Sequence, residues 1–210
     1  MVMPYSPQKM RLCLKKISRQ EVYHQKKNIF ADYYIKYNLF IVKQLNIIIM
    51  ISVKMQEAIN AQINAEMWSA YLYLAMSMDA SNKGYKGIAH WFHKQYDEEM
   101  EHAFKFIHYL ESQQARVELK AIDKFPTSWE SPLDMFEETL KHEKVVTGLI
   151  HDLYALATKE KDYATTIFLQ WYVTEQVEEE ENAQELIDAM KCVGDDKAAF
   201  FMFDKGLSKR

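Results

Sequence analysis

Four long segments of this chain carry apolar residues at alternating spacings of three and four, and each seam is broken near its middle by a carboxylate. That spacing puts side chains on one face of an α-helix, the pattern of a helix buried along a single stripe in a bundle. The second seam reads Ile88, Phe92, Gln95, Glu99, His102, Phe106, Tyr109, with Glu99 and His102 side by side on one face. The first is Ile59, Ile63, Glu66, Ala70, Tyr73, Ser77. The third is Leu133, Phe136, Leu140, Glu143, Thr147, Ile150, Tyr154, Ala157. The fourth is Thr165, Leu169, Tyr172, Gln176, Glu179, Ala183, Leu186, Met190. Burying an ionised carboxylate without a partner costs several kcal/mol or more. No lysine or arginine sits in any of these seams to neutralise them. Carboxylates at matching heights in antiparallel helices, with one imidazole, therefore ask for metal ions. Oxygen donors plus imidazole suit iron, manganese or similar ions better than a thiolate-bound metal.

Local signals bound the helices. The first runs from Val53 to about Asn82, ended at Asn82-Lys83-Gly84, where glycine tolerates a left-handed cap. The second covers about 85–113. Residues 114–131 carry Pro126 and little periodicity, a long link for a bundle turn. Such a link can run the length of a bundle, so that helices two and three lie parallel. Ser131 as cap, Pro132 at the first position and Asp134 in the first turn open a third helix over about 132–159. Asp162 caps a fourth over about 162–192, which Gly194 stops. Asp195-Asp196 then start a short apolar segment, Ala198 to Phe203, ending near Gly206. The fold class is all-α, consistent with only five glycines and four prolines in 210 residues.

Charge divides the chain. Residues 1–49 hold nine Lys/Arg against Glu21 and Asp32, a net +7, which leaves −11 on the remainder of a chain whose total is −4. An acidic body argues against nucleic acid and for cations as partners. Residues 1–49 are rich in Ile, Lys, Asn, Tyr and Phe and show no sustained seam. They read in three ways: a basic arm for a polyanion or membrane surface, a disordered or loosely helical appendage, or translated sequence upstream of a natural start at Met50. The bias resembles translated A/T-rich sequence and favours the third, making 1–49 an extension and 50–210 the folded domain. No run reaches the ~18–20 apolar residues of a membrane span, since Leu45 to Val53 is short and broken by Asn46. No apolar core followed by a small-residue cleavage site marks a secretory signal. Cys13 and Cys192 form neither metal spacing nor a disulfide framework, as expected in a reducing cytoplasm.

Di-iron carboxylate bundles place one Glu on each of two helices and Glu-x-x-His on each of the other two. The present chain matches on three helices and has Gln176-x-x-Glu179 on the fourth. The carrying stretches are Asn64 to Tyr73 (NAEMWSAYLY), Glu98 to His102 (EEMEH), Lys141 to Glu143 (KHE) and Phe168 to Glu179 (FLQWYVTEQVEE). Over residues 50–207 the chain resembles the bacterial non-haem ferritins. A bacterioferritin would have a second Glu-x-x-His, and a rubrerythrin a Cys-x-x-Cys module. The resemblance implies a ferritin-like four-helix bundle with a long crossover and a short fifth helix, and a shell of twenty-four identical subunits. It implies iron storage, with Fe(II) oxidised by dioxygen or hydrogen peroxide at a dinuclear ferroxidase centre and mineralised inside. One iron would be held by Glu66, Glu99 and His102, and the second by Glu99, Glu143 and Glu179, with Gln176 alongside. A third, cavity-facing iron site would use Glu98, Glu175, Glu178 and Glu179. Tyr73 would be a redox-active tyrosine; on its residues alone it reads equally as a core phenol bonded to a carboxylate.

Other candidates read more plainly. His90, His93, His108, His142 and His151 fall off the ligand positions as surface or packing residues, and Glu180 and Glu181 belong to a solvated face. Trp68, Trp91 and Trp171 serve core and subunit contact, and Cys192 is an inert thiol. Two other functions fit the residues: a different di-iron carboxylate oxidase or peroxidase, and a metal-free helical interaction protein whose polar seam residues fix register.

Overall fold

Helices alone make up the regular structure of residues 51–209, the part of the chain that the computed structural model describes. They are α1 (Val53–Asn82), α2 (Lys86–Ser112), α3 (Pro132–Glu160), α4 (Tyr163–Val193) and α5 (Lys197–Leu207). The readings of residues 1–49 lie outside the described residues. Three starts carry the caps read from sequence, and the first helix has one that was not read there. Ser52 accepts from the Met55 amide, Ser131 from Asp134, Asp162 from Thr165, and Asp196 from Ala198 and Ala199. Gly84 follows α1 at φ +89°, as the left-handed stop requires.

α2 alone lacks a cap from its own sequence. Its Ile88 amide instead donates to Asp204 Oδ1 of α5 at 2.9 Å, a cap supplied from 116 residues away. The approach is close enough that a Cβ on Gly87 would lie 1.5 Å from the Asp204 carbonyl oxygen, so only glycine fits there.

α1 pairs with α2 and α3 with α4 as two antiparallel hairpins. Between them, Ser69 faces His142, and Met76 faces Thr139, so α1 and α3 are antiparallel. Phe106 stacks on Tyr172 at 4.0 Å between α2 and α4. The link at 113–131 runs the length of the bundle as expected, and α1 holds it there. Asn60 donates to the Arg116 carbonyl and accepts from the Glu118 amide, at 2.9 and 2.7 Å. Asn64 does the same for Glu118 and Lys120, at 3.2 and 2.7 Å. Four residues of helix rise ~6 Å, nearly the span of two extended residues. A ladder of amides at every fourth helical position therefore matches alternate positions of an extended chain. At the far end Asp79 accepts from the Trp129 amide, and Lys83 donates to the Trp129 carbonyl.

The apolar interior falls into two halves. One gathers Met55, Ile59, Ile63, Phe106, Leu110, Ile150 and Leu169, and the other Leu72, Met76, Ile88, Phe92, Phe136 and Ile187. The polar seam residues lie between them.

Candidate metal centre

Four helices deliver one layer of side chains to mid-height. Glu66 comes from α1, Glu99 and His102 from α2, Glu143 from α3, and Gln176 and Glu179 from α4. All six are buried, none more than 5 % exposed. Glu66, Glu99 and His102 each offer a ligand atom within 4.8 Å of the others. Among the described residues no other three acidic, histidine or cysteine side chains meet that spacing. His102 Nδ1 lies 3.6 Å from Glu99 Oε2, and Nε2 lies 3.8 Å from Glu175 Oε1. Oε2 of Glu66 and Oε2 of Glu99 are buried without a hydrogen-bond partner. Native interiors rarely leave such atoms unmatched unless an ion or water takes them.

The remaining ligand candidates are tethered around this trio. Tyr73 donates its hydroxyl to Glu143 Oε1, and Gln176 Nε2 donates to Glu143 Oε2 at 3.1 Å. Glu179 accepts from Gln95 Nε2 at 2.9 Å, and Glu66 from Gln62 Nε2 at 2.9 Å. Glu143 and Glu179 bear on Glu99 from α3 and α4, near enough for their charge to act on it, without joining the tight cluster. Of the proposed third set, Glu98 and Glu175 are half-buried, Glu179 is buried and Glu178 is exposed. These four do not converge to the spacing of the trio.

Electrostatics agree with a site that attracts cations. Burial, then the neighbouring Glu99 charge, pushes Glu66 well above the usual carboxylate range. Burial and Glu143 do the same to Glu99. Glu143 is pushed up to about 7 by burial, against the pull of Tyr73 and Gln176, and Glu179 to about 7 by burial and then by Glu143 and Glu98. Burial, then the Glu143 charge, raises the Tyr73 phenol further above its usual value. Among the described residues no lysine or arginine reaches ion-pair distance of Glu66, Glu99, Glu143 or Glu179. An ion here would relieve four carboxylates at once.

His142 behaves as packing. Its Nε2 meets Ser69 Oγ at 2.7 Å, it lies against Trp68 and Tyr73, and burial lowers its pKa to about 4. Trp171 is 38 % exposed and edge-on to His102, with the Lys105 ammonium over its ring. The supporting hydrogen bonds of Gln62, Gln95 and Tyr172, whose hydroxyl donates to the His102 carbonyl, were not read from sequence. Gln62 sits one turn before Glu66, and Gln95 one turn before Glu99. An amide one turn ahead of a seam carboxylate was the signal for Gln62 alone, since Gln95 bonds across to Glu179.

A bundle of four long helices, linked by a full-length crossover and crossed at mid-height by a buried carboxylate and imidazole layer, defines the class of ferritin-like metal-binding bundles. Residues 56–193 match the Ferritin-like domain family. A bacterial non-haem ferritin of Bacteroides fragilis is 45 % identical over 161 residues, which cover 77 % of this chain and all of that protein. One from Staphylococcus aureus is 35 % identical over 77 % of this chain and 97 % of its own length. Among solved structures, an open pore ferritin from the archaeon Archaeoglobus fulgidus superposes with TM-score 0.75 at 47 % identity, over 76 % of this chain and 99 % of that one. The chain belongs to the ferritin family.

Proposed function

We propose that this ferritin, an iron-storage protein by family, oxidises Fe(II) at a dinuclear centre built from the mid-height layer. The observation that carries the reading is the Glu66, Glu99 and His102 cluster, with two buried carboxylate oxygens that have no partner. Iron is the substrate and the cargo. The first ion is held by Glu66, Glu99 and His102, and the second by Glu99, Glu143 and Glu179 with Gln176 beside them. Glu99 is the bridge. Two Fe(II) ions give one electron each to dioxygen or hydrogen peroxide. Hard oxygen donors favour the ferric product, and Tyr73, bonded to Glu143, is the catalytic phenol beside the pair. Glu98, Glu175, Glu178 and Glu179 receive a third ion on the way to the cavity. The shell has twenty-four subunits and works in the cytoplasm, without membrane or nucleic-acid partners. No helix among the described residues is long and apolar enough to cross a membrane. Residues 50–210 form the ferritin domain, and residues 1–49 are a dispensable extension.

Stopped-flow oxidation of Fe(II), followed by sizing of the product, tests this reading. The full chain and a chain starting at Met50 should both oxidise about two Fe(II) per subunit rapidly and then yield large iron-loaded particles. Glu99→Ala with His102→Ala should abolish the fast phase and leave the helical content intact. Fast oxidation retained in that double variant would overturn the site. Fast oxidation by a small particle that stores nothing would point to a di-iron oxidase, and no stoichiometric metal uptake to an interaction protein.

A further inference from the structure

We propose that Gln95 is a positioning residue that fixes Glu179 and so governs how the second ion is held and passed on. The inference rests on the dinuclear reading above. Gln95 occupies a seam position between Phe92 and Glu99 and is 0 % exposed. An apolar side chain would fill that place without the penalty of burying an amide. Its Nε2 crosses from α2 to α4 and donates to Glu179 Oε2 at 2.9 Å.

Glu179 is the one carboxylate common to the second-ion set and the cavity-side set. A carboxylate rotates readily about its last bond, since sp³–sp² torsions are broad. A hydrogen bond to one named oxygen removes that freedom. With Oε2 tied to α2, Glu179 meets the second ion in one orientation, and release towards the cavity requires the Gln95 bond to stretch or break. Gln95 itself touches no ion. It acts through Glu179, as partners of metal-bound carboxylates elsewhere do.

The test is anaerobic Co(II) titration of the full chain by calorimetry and visible absorption, because Co(II) occupies iron sites without being oxidised by the assay. Gln95→Met keeps the length and removes the donor. Loss of such a partner weakens metal affinity about 10- to 100-fold, and that loss should fall on the second ion alone. The first ion, held by Glu66, Glu99 and His102, should keep its affinity. Gln95→His, which restores a ring N–H donor, should recover most of the loss, and serves if the methionine variant does not fold. On a Glu179→Ala background, where no acceptor remains, the methionine substitution should have no further effect on the second ion. Equal weakening of both ions with a lowered Tm, or no change in either, would overturn the assignment. A native chain that takes up no Co(II) would overturn the dinuclear reading instead, a result separable from every variant outcome.

Discussion

Burial pushes Glu143 and Glu179 each up to about 7, against 4.5 for an ordinary glutamate. A folded-state pKa raised above the unfolded one means that the native state binds more protons between the two values. Stability from these groups is therefore full below about pH 4.5 and is lost as pH rises through about 7. The metal-free protein should lose on the order of a few kcal/mol across that window. Urea unfolding at successive pH values checks this, and Glu143→Gln with Glu179→Gln should flatten the curve. Adding Zn(II) above pH 7 should reverse the loss, because ligation requires the deprotonated carboxylates and stabilises only the folded chain. The lowered His142 pKa adds an opposite slope to both proteins, so a pH 5 to 7 slope that the double variant leaves unchanged would contradict the burial argument. At this scale the buried carboxylates of the middle layer were legible in sequence, since a glutamate inside an apolar seam announces itself. Their hydrogen-bond partners were not. Gln95 reaches Glu179 only because α2 and α4 sit at one particular relative height, and no single-helix pattern states that height.

Individual helix starts were legible almost to the residue where the cap is local chemistry: Ser131, Asp162 and Asp196 each bond within three positions, as does Ser52, which was not read as a cap. The seams are followed only in part. Ile187 is buried where the spacing favoured Leu186, and Leu133, Leu140, Thr147, Tyr154 and Tyr109 are only half-buried. A helix of 3.6 residues per turn gradually rotates any three-and-four stripe away from its partner. The crossover was legible as a long link, but its support was not. Gln56, Asn60 and Asn64 form an amide row beside the α1 seam, and nothing in the sequence says what they face. Asn60→Ala with Asn64→Ala should destabilise the fold by about 1–3 kcal/mol and expose the stretch from Arg116 to Trp129 to limited proteolysis. A crossover equally resistant in that variant would show that its own packing holds it. Gly87→Ala should displace α5 by forcing a methyl onto the Asp204 carbonyl, an overpacking of about 1–3 kcal/mol. Hydrogen exchange should then quicken in α5 and at Ile88 and leave α1 and α3 unchanged.

For the molecule as a whole, the acidic balance of residues 50–210 fits a protein that gathers cations, and the two-part interior fits one that must stay folded while its middle changes occupancy. Each half has its own aromatic centre: Phe106 on Tyr172 in one, and Phe92 stacked on Phe136 in the other. Neither half includes the glutamates between them, and the second meets them only through the Tyr73 hydroxyl on Glu143. The arrangement bears on how such a chain drifts over generations. Replacing a buried ionic group with a well-packed apolar one is often neutral or stabilising, so random change would steadily erase the middle layer, and the shape of the molecule would survive the erasure. A lineage could lose its chemistry and keep its architecture. In this chain Glu66, Glu99, His102, Glu143 and Glu179 all stand buried in that layer, as the proposed centre requires.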